Sequence, residues 1–139
     1  MKDSSESGRR EFCTVVNCMD GRVQDPVGAY CRKRFRVSFV DTVTEAGPCL
    51  LLSCRQGSEA ARSILRRVEV SVAEHNSQGI AVVGHHDCAG NPAPMEEQIA
   101  SLRTAVSFLH ERFSGVEVIA LWVDEEWRVR EVAARPPGD

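Results

Sequence analysis

Two short stretches carry the residues best suited to chemistry, Cys18-Met19-Asp20-Gly21-Arg22 and Gly84-His85-His86-Asp87-Cys88. Each follows an apolar run, so a cysteine from one strand end and a His-x-x-Cys element from another can meet around a single point. Two thiolates and one neutral imidazole make a three-ligand zinc set: Cys18, His85 and Cys88. Structural zinc sites usually close their shell with four protein ligands, whereas catalytic sites keep one position for water. Three ligands with the Asp20 carboxylate nearby therefore lean toward catalysis. On spacing alone a plainer reading stays open, because a buried thiol beside an incidental histidine gives the same letters. Asp20-Gly21 is likewise an ordinary turn dipeptide, and Arg22 an ordinary surface charge.

The remaining candidates are weaker. Cys13 lies inside an apolar run and reads as a packed small side chain, while Cys31, Cys49 and Cys54 lack a partner at ligand spacing. His86 and Asp87 sit between two candidate ligands and could support them, shuttle protons or simply be polar loop residues. A nucleophilic Cys88 on a phosphate-cradling loop fits poorly, since Cys88-Ala89-Gly90-Asn91-Pro92-Ala93-Pro94 has two prolines without amide hydrogens and no arginine. No Gly-x-Gly-x-x-Gly follows a strand, which removes the usual dinucleotide fingerprint.

The elements that must position these groups are legible from periodicity. Phe12 to Val16 predicts a buried strand feeding the Asn17–Gly21 turn, and Gly79 to Val83 a central parallel strand ending at Gly84-His85. Residues 24 to 34 predict an irregular or helical segment with its basic residues facing water, and Phe35 to Val43 a second strand before a turn at Thr44–Pro48. Ala61, Ile64, Leu65, Val68 and Val72 recur at helical steps after a Ser58 cap, giving a helix that ends near His75-Asn76. Ile99, Leu102, Val106, Leu109 and Phe113 mark another, opened by Pro94, Glu96 and Glu97. Val116 to Val123 is a strand, and Asp124-Glu125-Glu126 a hairpin turn into Trp127 to Val132. The expected fold is α/β, a mostly parallel sheet flanked by helices with a C-terminal hairpin strand, and ligands belong at the carboxyl ends of its strands. The expected organisation is one zinc-binding domain over 11–134, a frayed tail at 1–10 and a loose one at 135–139.

Composition agrees with a globular chain: 42% of the 139 residues are hydrophobic and 27% charged. The net charge of -3 gives no electrostatic reason to expect nucleic acid, and the basic run Arg32 to Arg36 reads as a solvated face. Met1 to Glu11 has neither the apolar core of a signal peptide nor an anchor, and no stretch approaches the roughly 20 apolar residues of a membrane span. The expectation is a cytoplasmic protein, in which six cysteines are packed, reactive or metal-bound rather than paired as disulfides.

Together, Cys18-Met19-Asp20-Gly21-Arg22 and Gly84-His85-His86-Asp87-Cys88 resemble the paired signatures of the β-class carbonic anhydrases, a Cys-x-Asp-x-Arg loop and a Gly-His-x-x-Cys loop. The resemblance runs from about Phe12 to Val132. It implies that Cys18, His85 and Cys88 bind Zn2+, that Asp20 and Arg22 form a catalytic dyad orienting hydroxide on the metal, and that the reaction interconverts carbon dioxide and bicarbonate. It also implies a homodimer or higher homo-oligomer, and that Asp20 could close the site by binding zinc if Arg22 released it. Two pocket-lining segments depart from the family, Asp41–Pro48 where an Arg-Asn-Ala-Gly run is usual, and Ala89–Pro92 after the last ligand. Those departures keep open a related zinc hydrolase acting on another small electrophile, or a non-catalytic zinc-binding module.

Overall fold

The computed structural model describes residues 11–138, so the tail expected at 1–10 lies outside them. The described residues form β1 (Phe12–Cys18), α1 (Gln24–Phe35), β2 (Phe39–Glu45), α2 (Pro48–Cys54), α3 (Glu59–His75), β3 (Gly79–His85), α4 (Met95–Arg112), β4 (Glu117–Val123) and β5 (Val129–Arg135). A 3-10 turn at Gly21–Val23 precedes α1. The sheet order is β2-β1-β3-β4-β5. β1 runs parallel to β2 and β3, and β3 to β4; only β5 is antiparallel, against β4.

The central strands β1, β3 and β4 are almost continuously apolar because both of their faces are covered. Alternate residues feed two cores. Val16, Ile80, Val82, Val118 and Ala120 pack with Leu52, Ile64, Val68 and Leu102 from α2, α3 and α4. Val15, Ala81, Val83, Ile119 and Leu121 pack with Val27, Cys31 and Phe35 of α1. α3 begins where expected, with Ser58 Oγ accepting from the Ala61 amide at 3.1 Å, and ends at a left-handed Asn76.

Where the structure departs from expectation, the cause is local. β2 occupies 39–45 rather than 35–43, because Phe35 completes the Val27–Cys31–Phe35 stripe of α1 and Arg36 terminates that helix at φ 58. α2 was not expected; with seven residues opened by Pro48 it is too short to display a period. The basic run is not wholly solvated, since Arg34 binds Glu117 at 2.7 Å and Glu131 at 2.8 Å and so ties α1 to β4 and β5. Trp127 lies in the β4–β5 turn rather than in a strand, and Arg135 closes β5.

The order β2-β1-β3 means that the chain leaves β1 toward one side of the sheet and later returns on the other. The carboxyl ends of β1 and β3 therefore flank the topological switch point, where α/β sheets bind ligands. Cys18 and His85 are the last residues of those two strands. No helix among the described residues is long and apolar enough to cross a membrane.

Candidate metal centre

Cys18 ends β1, His85 ends β3, and a tight turn with Asp87 left-handed at φ 59 returns Cys88 to the same point. The Cys18, His85 and Cys88 donor atoms all lie within 4.8 Å of one another, and all three residues are buried. The two sulfurs are 3.8 Å apart. Two sulfurs each about 2.3 Å from one tetrahedral ion stand about 3.8 Å apart, so the spacing suits zinc. His85 Nδ1–H donates to the His86 carbonyl at 2.8 Å, which leaves the lone pair on Nε2. That Nε2 is buried and has no hydrogen-bond partner. A buried, oriented nitrogen lone pair beside two sulfurs fits a metal ligand, and the carbonyl behind the ring is the usual support for one.

The Cys18 sulfur is electrostatically prepared for the same role. The Cys88 thiol donates to Cys18, and His85 with the amides of Gly47 and Asp20 adds to that pull, so the Cys18 pKa falls to about 4 despite burial. Cys88 is pushed up by the same hydrogen bond and by burial, with the amides of Asn91 and Gly90 working against the rise. Burial opposes charging of His85, but the nearby Cys18 sulfur and the His86 carbonyl outweigh it and move its pKa upward.

Asp20 caps the 3-10 turn and is gripped by the arginine two residues on. Arg22 Nε donates to Asp20 Oδ1 at 3.0 Å and Nη2 to Oδ2 at 2.7 Å, while the Arg22 amide donates to Oδ1 at 2.9 Å. The bidentate pair lowers the Asp20 pKa to about 2 and raises that of Arg22. Gln24 Nε2 donates to the carbonyls of Cys18 at 2.7 Å and Asp20 at 2.9 Å, so the loop between ligand and carboxylate is fixed from α1.

A family model described as "Putative carbonic anhydrase" matches residues 8–133. The chain belongs to that carbonic anhydrase family. Among solved structures, one of two tetrameric β-carbonic anhydrases from the filamentous ascomycete Sordaria macrospora superposes with a TM-score of 0.59 at 14% identity, covering 95% of this chain and 86% of that one. The β-carbonic anhydrase CcaA gives 0.58 at 13% identity, covering 98% and 82% respectively. At such identities the likeness speaks for the fold alone. No curated protein matches the sequence.

In this carbonic anhydrase family member the structure brings together Cys18, Asp20, Arg22, His85 and Cys88, all singled out by sequence. It adds others that sequence did not single out. Gly47, at φ +65, meets Gly90 so closely that a Cβ on Gly90 would lie 2.4 Å from the Ala46 carbonyl carbon. This contact holds the amides of Gly47, Gly90 and Asn91 around the two sulfurs. Gln98 Nε2 donates to the carbonyls of His85, Asn91 and Ala93 at 3.0 to 3.1 Å, tying the ligand loop to α4. The resemblance marks the segments that hold them, Asp41–Pro48 and Ala89–Pro92, as pocket lining, but nothing in sequence pairs Gly47 with Gly90. Of the residues between the ligands, His86 is exposed, while Asp87 contacts Arg22 at 3.3 Å. Cys13, Cys31 and Cys49 are buried outside the ligand group, Cys49 accepting from Asn91 Nδ2 at 3.2 Å, and Cys54 is exposed.

Proposed function

We propose that the protein holds zinc through Cys18, His85 and Cys88 and hydrates carbon dioxide to bicarbonate, with Asp20 and Arg22 as the orienting pair. The observation that carries this reading is the convergence of two buried sulfurs and an unpartnered His85 Nε2 at the switch point beside an ionised, bidentately held carboxylate. Zinc bound there supplies Lewis acidity, drawing the pKa of water from about 15.7 toward neutrality so that hydroxide is available at physiological pH. Asp20 contributes as an acceptor. Its Oδ1 takes two hydrogen bonds from Arg22 and its Oδ2 takes one, so Oδ2 retains capacity for the proton of an attacking oxygen. Holding that proton aims the oxygen's free lone pair at the electrophile, while Arg22 keeps the carboxylate charged and in place.

Metal analysis with stopped-flow carbon dioxide hydration tests the reading. One equivalent of zinc with hydration supports it; zinc without hydration favours another small electrophile or a metal-stapled fold. In Asp20→Asn zinc content is retained and the hydration rate falls by about a hundredfold. An unchanged rate overturns the role given to Asp20.

The same reading carries assembly and location. A homo-oligomer is supported by the Sordaria neighbours, described as tetrameric, and by β2, which forms a sheet edge with Phe39 53% exposed. Light scattering after gel filtration checks it, and a monomer at micromolar concentration overturns it. A reducing compartment such as the cytoplasm suits a chain whose described cysteines are all free thiols.

A further inference from the structure

Four non-glycine residues among those described have positive φ. Arg36 and Asn76 are ordinary left-handed ends of α1 and α3. The other two, Asp87 at φ 59 and Trp127 at φ 62, lie in different loops, yet both touch Arg22. Asparagine and aspartate tolerate this conformation; a bulky tryptophan adopts it only where its surroundings require it. Strain of this kind, concentrated on one side chain, points to a constraint on that side chain.

The constraint is geometrical. One edge of the Arg22 guanidinium holds Asp20, Nη1 donates to Asp87 Oδ2 at 3.3 Å, and Nη2 also donates to the Asp87 carbonyl at 3.1 Å. The Trp127 ring covers a face, with Arg22 Cζ 4.5 Å from its centroid. Trp127 is itself held by the β4–β5 turn, in which its amide donates to the Asp124 carbonyl at 2.9 Å and Asp124 Oδ1 accepts from Glu126 and Arg128. The ligand loop is anchored to the same strand end, because the His86 amide donates to the Val123 carbonyl at 2.9 Å. A lone ion pair on a side chain that is 46% exposed is weak and mobile. Asp87 and Trp127 turn it into a fixed fork.

We propose that Asp87 and Trp127 are positioning residues that lock Arg22 onto Asp20 and so keep the Asp20 carboxylate off the metal position between Cys18, His85 and Cys88. This rests on the zinc assignment above. Carboxylate oxygen is itself a zinc ligand, and Asp20 lies two residues from one of the sulfurs. Without the lock, Asp20 takes the position that an exchangeable ligand needs.

The test uses the full chain loaded with Co(II), whose thiolate charge-transfer band reports sulfur ligation, titrated with thiocyanate as a probe of the exchangeable position. Wild type binds thiocyanate. Asp87→Ala combined with Trp127→Ala binds it at least about tenfold more weakly, the loss expected when the open form falls to about a tenth of the population. Adding Asp20→Asn to that variant restores the affinity, and Trp127→Phe, which keeps an aromatic face, stays within about threefold of wild type. Thiocyanate affinity unchanged in the double variant, or not restored by Asp20→Asn, overturns the positioning role alone. Failure of wild type to show the cobalt–thiolate band overturns the metal assignment and the proposal with it. Should the double variant not fold, the wild-type 15N spectrum decides: a ring-shifted, exchange-protected Arg22 Nε–H supports the lock, and one exchanging as fast as free arginine overturns it.

Discussion

Cys18 and Cys88 share one core cluster with another pair of buried thiols, Cys13 and Cys31, yet Cys18 and Cys31 are drawn in opposite directions. Cys13 is the second residue of β1, inside the ladder opposite Val40, and Cys31 lies on the inner face of α1, both fully buried. The hydrogen bond to Cys13 and burial push the Cys31 thiol up, away from the thiolate form. Five residues along the same strand, Cys18 is pulled down to about 4 by the Cys88 thiol, helped by loop amides and His85. Burial is common to both pairs. What differs most is the partner each thiol faces: the Cys88 thiol draws Cys18 down, the bond to Cys13 drives Cys31 up, and at the end of β1 the Gly47 and Asp20 amides add to the pull on Cys18. Burial and residue type alone do not distinguish Cys18 from Cys31.

The largest effect should come from exchanging the roles of the pairs. Cys88→Ser lowers zinc affinity by at least about a hundredfold, more than loss of an outer supporting group usually does. Cys31→Ala leaves zinc content and affinity unchanged and lowers unfolding stability by about 1–2 kcal/mol, the loss expected for one or two buried methylene equivalents. Competition with a chromophoric chelator and denaturant unfolding measure the two. Loss of metal in Cys31→Ala, or retention of full affinity in Cys88→Ser, would break the contrast.

A smaller effect isolates the amides. Gly90→Ala sets a Cβ against the Ala46 carbonyl and the Gly47 nitrogen, contacts of 2.4 to 2.7 Å that must open, carrying the Gly47 and Gly90 amides away from the sulfurs. All three ligands remain, so zinc affinity falls by about 10–100-fold rather than disappearing. Gly115→Ala, a substitution with open space around it, serves as the control and leaves affinity unchanged. Equal affinities in the two variants would show that the loop amides contribute nothing to the preference for thiolate.

Much of this arrangement was legible in sequence because it is local. Three buried apolar runs specified β1, β3 and β4, and each ligand lies at or just beyond the end of such a run, so the site could be placed before its geometry was known. What sequence did not show depends on contacts between distant segments. Gly47 and Gly90 matter because two loops touch, and Asp87 and Trp127 because both reach Arg22. α2 was too short for periodicity, and the Phe35 end of α1 was mistaken for strand because a β-preferring aromatic followed a basic run that hid the four-residue stripe.

The metal-free chain should also show a pH dependence of stability, and its sign follows from the contrast between Cys18 and Cys31. Unfolded, Cys18 keeps its proton up to the ordinary value of 9.0; folded, it releases it above about 4. Between those values the unfolded state binds more protons, so this group stabilises the fold increasingly as pH rises from about 4 and fully above 9, and its contribution is lost as pH falls through 4. Cys31 acts the other way. Its thiol ionises freely only when unfolded, so above pH 9.0 it favours unfolding. In chelator-treated protein, the stability of wild type relative to Cys18→Ser should therefore grow with pH across that window, whereas wild type relative to Cys31→Ala should hold steady there and decline only at higher pH. Parallel pH profiles for the two comparisons would mean that the strand end confers no special acidity, and that the metal affinity of Cys18 derives from ligand geometry alone.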